Sequence, residues 1–142
     1  MRTIAWPLLI LCSLASCNPF PGPRKVDLKK EWAKSGFHLK TLAQQILQDP
    51  AKFQFGNNEF PDDFEYPFDD GFFLNYGSRH SSTENIQQQT VTIKFYTDRG
   101  LLDHYSAIIF TNNPIDIGEF ESNVANGGND YKLEEGWYAI ND

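Results

Sequence analysis

The chain has 142 residues, 12 Lys and Arg against 19 Asp and Glu, and a formal net charge of −7. That length suits one domain and is enough to bury a hydrophobic core. The acidic balance argues against a nucleic-acid binder, because phosphate contact needs a basic footprint, and two cysteines are too few for a disulfide-built scaffold.

The first element in the chain is an oily leader. Arg2 gives it a positive start, and Ile4 to Ala15 is mostly apolar, centred on Leu8, Leu9, Ile10 and Leu11. A run this short does not span a bilayer, which takes about 20 apolar residues. It suits the hydrophobic region of a secretory signal peptide. The run ends in Leu14-Ala15-Ser16-Cys17, a tetrapeptide that closely resembles the lipobox of bacterial lipoproteins. The resemblance covers the first 17 residues alone. It implies that the Cys17 sulfur carries diacylglycerol, that cleavage falls between Ser16 and Cys17, and that the new amine is acylated. The partner so implied is the lipid bilayer, gripped through acylated Cys17. One acyl chain binds a membrane reversibly, whereas two or more hold firmly. Residues 1–16 are then a cleaved leader that takes Cys12 with it, and the mature chain has no disulfide. Asn18 stands where the lipoprotein sorting rule has Asp for inner-membrane retention, which implies the outer membrane of a bacterial envelope. The rival reading is an ordinary secretory leader cleaved elsewhere.

Residues 17–26 form the lipidated Cys and a Pro-rich spacer. Pro19, Pro21 and Pro23 favour an extended polyproline II segment at about 3.1 Å per residue. Residues 27–142 read as a single α+β domain. Charge is unevenly spread: residues 24–40 hold six basic and two acidic residues (+4), and residues 41–142 hold five basic and 17 acidic residues (−12). The basic end next to the anchor reads either as a solvated helix face or as a surface for anionic headgroups, each Lys or Arg adding about 1 kcal/mol there.

Leu28, Trp32, Leu39, Leu42, Ala43, Ile46 and Leu47 recur at spacings of three and four, which predicts an amphipathic helix over 27–48. Gly36 is a candidate kink, with Ser35 capping a second part, and Asp49-Pro50 ends the helix. Residues 71–77 predict a strand. Val91, Ile93 and Phe95 alternate with polar neighbours, and His104 to Thr111 is rich in β-forming residues. These two runs predict a hairpin joined at Asp98-Arg99-Gly100. Asn112-Asn113-Pro114 and residues 126–130 read as loops. Residues 131–140 predict a closing hairpin around Glu135-Gly136. The expected fold is one N-terminal amphipathic helix packed on a four- to five-stranded antiparallel sheet, whose other face meets solvent. Trp32, Phe37, Phe95, Ile109, Phe110 and Trp137 are the expected core.

Chemistry-bearing patterns are scarce. The chain has no G-x-S-x-G, and acylated Cys17 is no nucleophile. His38, His80 and His104 form no metal-ligand spacing. His80-Ser81-Ser82 sits in a polar stretch, and residues 126–130 lack the Lys and Ser/Thr of a phosphate loop. No catalytic residue, metal site or cofactor is expected.

Residues 53–76 stand out, with nine aromatic residues and the acids Glu59, Asp62, Asp63, Glu65, Asp69 and Asp70. Unstructured loops of this length are uncommon in compact domains, so the segment either packs or binds. Packed, its rings dock on the sheet while its acids stay in water. As a binding surface, Asp62, Asp63, Glu65, Tyr66, Asp69 and Asp70 would face a partner, the acids steering a basic one. Calcium takes six to eight oxygens, but the acid spacing departs from D-x-[DN]-x-[DN]-G. The function expected is a membrane-anchored envelope lipoprotein whose acidic domain is a non-enzymatic protein-interaction module for a basic envelope protein. The alternatives are a carbohydrate- or calcium-binding envelope domain, in which aromatic rings stack on the ligand, and an envelope hydrolase.

Overall fold

A computed structural model describes residues 27–69, 71–79, 88–99 and 105–141. The leader, Cys17 and the spacer lie outside these residues. So do Asp70, the stretch 80–87 with His80, Ser81 and Ser82, and residues 100–104, with Gly100 and His104.

Helix α1 spans Leu28–Gln48. Asp27 caps it, its Oδ1 accepting the Lys30 N–H at 3.2 Å, which satisfies one of the unpaired amides of the first turn. The helix is continuous through Gly36. A Cβ on Gly36 would lie 2.9 Å from the Trp32 ring, so the glycine makes room for that ring and does not split the helix. Ser35 caps nothing; its hydroxyl donates to Glu31 one turn back. A single 3₁₀ turn, Pro50–Lys52, follows. The Tyr76 hydroxyl pins it, 2.9 Å from the Pro50 carbonyl and 3.2 Å from that of Phe53.

Six strands form one antiparallel sheet: β1 (Gly56–Glu59), β2 (Gly71–Arg79), β3 (Gln88–Arg99), β4 (Tyr105–Thr111), β5 (Tyr131–Glu134) and β6 (Trp137–Asn141), in the order β1-β2-β3-β4-β6-β5. The expected 91–111 hairpin is β3–β4, whose register pairs Phe95 with Ile108 and Ile93 with Phe110, but Asp98 and Arg99, expected in its turn, belong to β3 and pair with Ser106 and Tyr105. The expected closing hairpin is β5–β6. Gly136 turns it with φ +72°, and a Cβ there would lie 2.8 Å from the Thr111 carbonyl oxygen.

Two expectations about the architecture need correction. The sheet has six strands rather than four or five, because β1 forms inside the aromatic and acidic segment. A second helix, α2 (Pro114–Ala125), follows β4. Its start is built from the Asn-Pro pair read as a loop. Asn113 caps the helix by accepting the Ile115 N–H at 3.1 Å, and Pro114 occupies the first turn, where a missing N–H costs nothing.

Residues directly opposite across antiparallel strands share a face, which sorts the core into two layers. On one face Phe72, Leu74, Ile93, Phe95, Ile108, Trp137 and Ala139 pack against Leu28, Leu39, Leu42 and Ile46 of α1. On the other, Ala107, Ile109, Tyr138 and Ile140 pack against Phe120 and Val124 of α2. The second face is therefore not left to solvent as expected: α2 covers its β4, β6 and β5 side. Covering on both faces explains why Trp137 through Ile140 are all buried. Asp116 and a pair of buried threonines fix the start of α2. The Thr92 hydroxyl donates to Asp116 and lies 2.7 Å from that of Thr111. At the far end Lys132 of β5 donates to Glu121 at 2.7 Å, and the Tyr138 hydroxyl donates to the same carboxylate at 3.0 Å.

Among the expected core residues, Phe95 and Ile109 are fully buried and Trp137 nearly so, while Trp32 and Phe110 are half-buried against the α1 side of the sheet. Phe37 is a correction. It is 75% exposed, because its place on α1 is nearly opposite the Leu39–Ile46 stripe.

Candidate functional site

The segment from Phe53 to Asp69 runs along one end of the α1-side core. Phe53, Phe60, Phe64 and Phe68 pack against that core, and Tyr66 and Phe72 lie within it. Phe60 is the hub. Its ring stacks on Phe64 at 4.7 Å and contacts Phe72 at 5.6 Å and Phe95 at 6.4 Å. Phe64 also meets the His38 ring of α1, edge-on at 6.5 Å. The Asn58 side chain stitches the approach to β1, donating to the Gln54 carbonyl at 2.9 Å and accepting the Gln54 N–H at 3.1 Å. Rings and amides thus hold the segment's backbone against the domain.

The acids take the opposite orientation. Glu59, Asp62, Asp63 and Glu65 are exposed, and Asp69 is half-buried. None of the four exposed acids forms an ion pair among the described residues. Elsewhere Glu31, Asp49, Glu121, Glu134 and Glu135 each have a lysine. The result is an uncompensated acidic rim on a rigid base. Of the residues expected to bind, Asp62, Asp63 and Glu65 stand on this rim with Asp69 beside it, and Asp70 lies outside the described residues. Glu59, at the end of β1, extends the rim.

Tyr66 is placed differently. It is 9% exposed, with its ring between Phe60 and Phe68 at 5.5 Å from each. Its hydroxyl is buried without a hydrogen-bond partner. Burial pushes its pKa up, and the nearby carboxylates of Glu31 and Asp69 push it further the same way. Tyr66 is a supporting ring under the rim rather than an exposed contact.

Beside the rim is a shallow cleft of about 740 Å³, lined by Phe53, Asn57, Asn58, Glu59, Phe60 and Asp69 among others. A hollow of about 530 Å³ adjoins it, sharing Phe60, Pro61 and Asp69. Among the described residues, no group of three or more His, Cys, Asp and Glu is placed to hold a metal ion, and no helix is long and apolar enough to cross a membrane.

A second surface escaped the sequence reading. The β1–β3 part of the sheet's second face lies beyond α2. There Phe55, 67% exposed, meets Phe73 edge-on at 6.0 Å. Next to it, at the edge of the α2-side core, Lys94 stands 4.9 Å over the Tyr105 ring, which meets Tyr96 edge-on at 5.5 Å. The signal was the run Phe72-Phe73-Leu74: alternation puts Phe72 and Leu74 on one face, so Phe73 falls on the other. Compared with protein-family models, curated proteins and solved structures, the chain matches none.

Proposed function

We propose that this chain is a membrane-anchored envelope lipoprotein whose acidic domain is a non-enzymatic protein-interaction module, taking a basic partner on the rim from Glu59 to Asp69. The anchor rests on the likeness of Leu14-Ala15-Ser16-Cys17 to a lipobox. One observation carries the interaction reading. Four exposed carboxylates without ion pairs stand on a backbone fixed by buried rings. A preformed charged surface loses little conformational freedom on binding, and its field steers an oppositely charged partner into place.

Two experiments test the two halves. Cys17→Ala is expected to move the protein from the detergent-rich to the aqueous phase; a wild-type protein already in the aqueous phase would end the anchor reading. Cross-linking in envelopes of the source cell, with protein identification by mass spectrometry, is expected to yield one dominant basic partner. Glu59→Gln, Asp62→Asn, Asp63→Asn and Glu65→Gln together are expected to abolish its capture. Undiminished capture by that variant would end the rim reading.

The cleft beside the rim supports a second reading, a carbohydrate-binding domain. Its aromatic, amide and carboxylate side chains are the types that stack on and hydrogen-bond a sugar. Calorimetry with envelope sugar fragments separates the two: heat of binding favours the sugar, and no heat favours the protein partner.

A further inference from the structure

α1 buries one side against the sheet, so residues three and four apart on its other side form an exposed ridge. That ridge reads Lys30, Lys34, Phe37, Thr41, all exposed. Phe37, at 75% exposure, contributes nothing to the core, and it follows two lysines by about one and two turns. Lys29 is exposed beside the ridge, 4.6 Å over the Tyr131 ring. Lys29 and Lys30 form no ion pair among the described residues, and Lys34 has only a 3.9 Å approach to Glu31. Lys40, by contrast, is held by Glu134 at 3.0 Å. The acidic rim meets α1 on the His38 flank, through Phe64. At 100° per residue, Lys29 lies on the opposite flank from His38. Lys30 and Lys34 lie between these flanks, about 80° and about 40° round the helix from His38.

We propose that this ridge docks on the anionic headgroups of the bilayer that carries the protein, with Phe37 entering the headgroup boundary between the lysines. The inference rests on the anchor reading above. Two arguments choose the bilayer as occupant. The first is charge: each lysine brought to an anionic surface raises the docked population by about fivefold, and an exposed Phe among lysines is the composition of an interfacial helix. The second is reach. α1 begins 11 residues after Cys17, so a fully extended tether is at most about 40 Å long. The helix is thus held beside the surface at high effective concentration.

The test uses the full-length protein as made by the cell, reconstituted in vesicles of phosphatidylcholine alone or with phosphatidylglycerol. A spin label is placed at Thr41→Cys on the ridge, or at Ser122→Cys on α2 as a control. Collisions with a water-soluble nickel chelate and with lipid-soluble oxygen report where each label sits. With phosphatidylglycerol present, the label at position 41 is expected to lose nickel contact and gain oxygen contact, while the label at 122 stays in water. Lys30→Glu with Lys34→Glu is expected to return the label at 41 to water, and Phe37→Ala to weaken its oxygen contact. A label at 41 equally wet in both lipids, on protein that floats with the vesicles, would overturn the docking and leave the anchor standing. Protein that floats with neither vesicle would overturn both.

Discussion

Tyr66 and Gly36 show how single residues hold the platform under the rim. The Tyr66 hydroxyl is buried with no partner, and leaving such a group dry costs about 1–3 kcal/mol. Tyr66→Phe keeps the ring and removes the orphan, so urea unfolding should show a gain of about 1–2 kcal/mol. A loss would contradict the placement of that hydroxyl. Gly36→Ala runs the other way. Alanine is favoured in a helix by about 1 kcal/mol, but its Cβ would meet the Trp32 ring at 2.9 Å, and that ring is confined by Trp137 at 4.9 Å. Overpacking of this kind costs about 1–3 kcal/mol, so the variant should unfold at lower urea despite its better propensity. At this scale the sequence was legible by phase better than by residue type. Phe37 was expected inside because it is aromatic, yet counting 100° steps from Leu39 puts it in water. Tyr66 was left open, docked if the segment packs and exposed if it binds, and its ring lies in the core.

The elements differ in how plainly their sequences announce them. α1 has a long one-sided stripe, a capping Asp27 and a terminating Asp49-Pro50, and its ends fall within a residue of the expected 27–48. β3 and β4 have the alternation of half-buried strands. α2 was missed although its signals were present: Asn113 as cap, Pro114 in the first turn, and Ile117, Phe120 and Val124 on one side. The stripe is short, and Gly118 with several β-branched residues dilutes helix propensity. β1 reads Gly-Asn-Asn-Glu and has no apolar residue at all. Pairing with β2 makes it a strand, and no local pattern foretells that. α2 is held mainly at its two ends. Asp116→Ala strands the buried Thr92 and Thr111 pair without its acceptor and should lower stability by about 1–3 kcal/mol. At the far end, hydrogen bonds from Lys132 and then Tyr138 hold the Glu121 carboxyl below its ordinary range. A depressed carboxyl supports folding above its unfolded pKa, and that support is lost as pH falls through the folded value. The protection of α2 amides, measured relative to the intrinsic exchange rate at each pH, should therefore fall in acid below the usual carboxylate range, and Glu121→Gln should remove that component of the pH dependence.

For the whole molecule, the fold class, an antiparallel sheet with its N-terminal helix, was readable from periodicity. The layering was not, because it depends on a short second helix. The separation of charge was visible in the sequence as a basic stretch and an acidic remainder. What the sequence did not contain is which acids have lysine partners, since partners such as Lys132 and Glu121 or Lys40 and Glu134 are joined only by the fold. That pairing leaves the 59–65 acids uncompensated. These carboxylates, carried on packed rings, are proposed to recognise a basic partner. The most direct measurement is the affinity of the captured partner for the wild-type protein and for the Glu59→Gln, Asp62→Asn, Asp63→Asn, Glu65→Gln variant, from about 0.05 to 0.5 M salt. Wild-type binding should weaken steeply with salt, and variant binding should be weak and nearly independent of it. Binding that ignores both salt and the four substitutions but disappears with Phe55→Ala would rule out the rim and place recognition on the open face of the sheet.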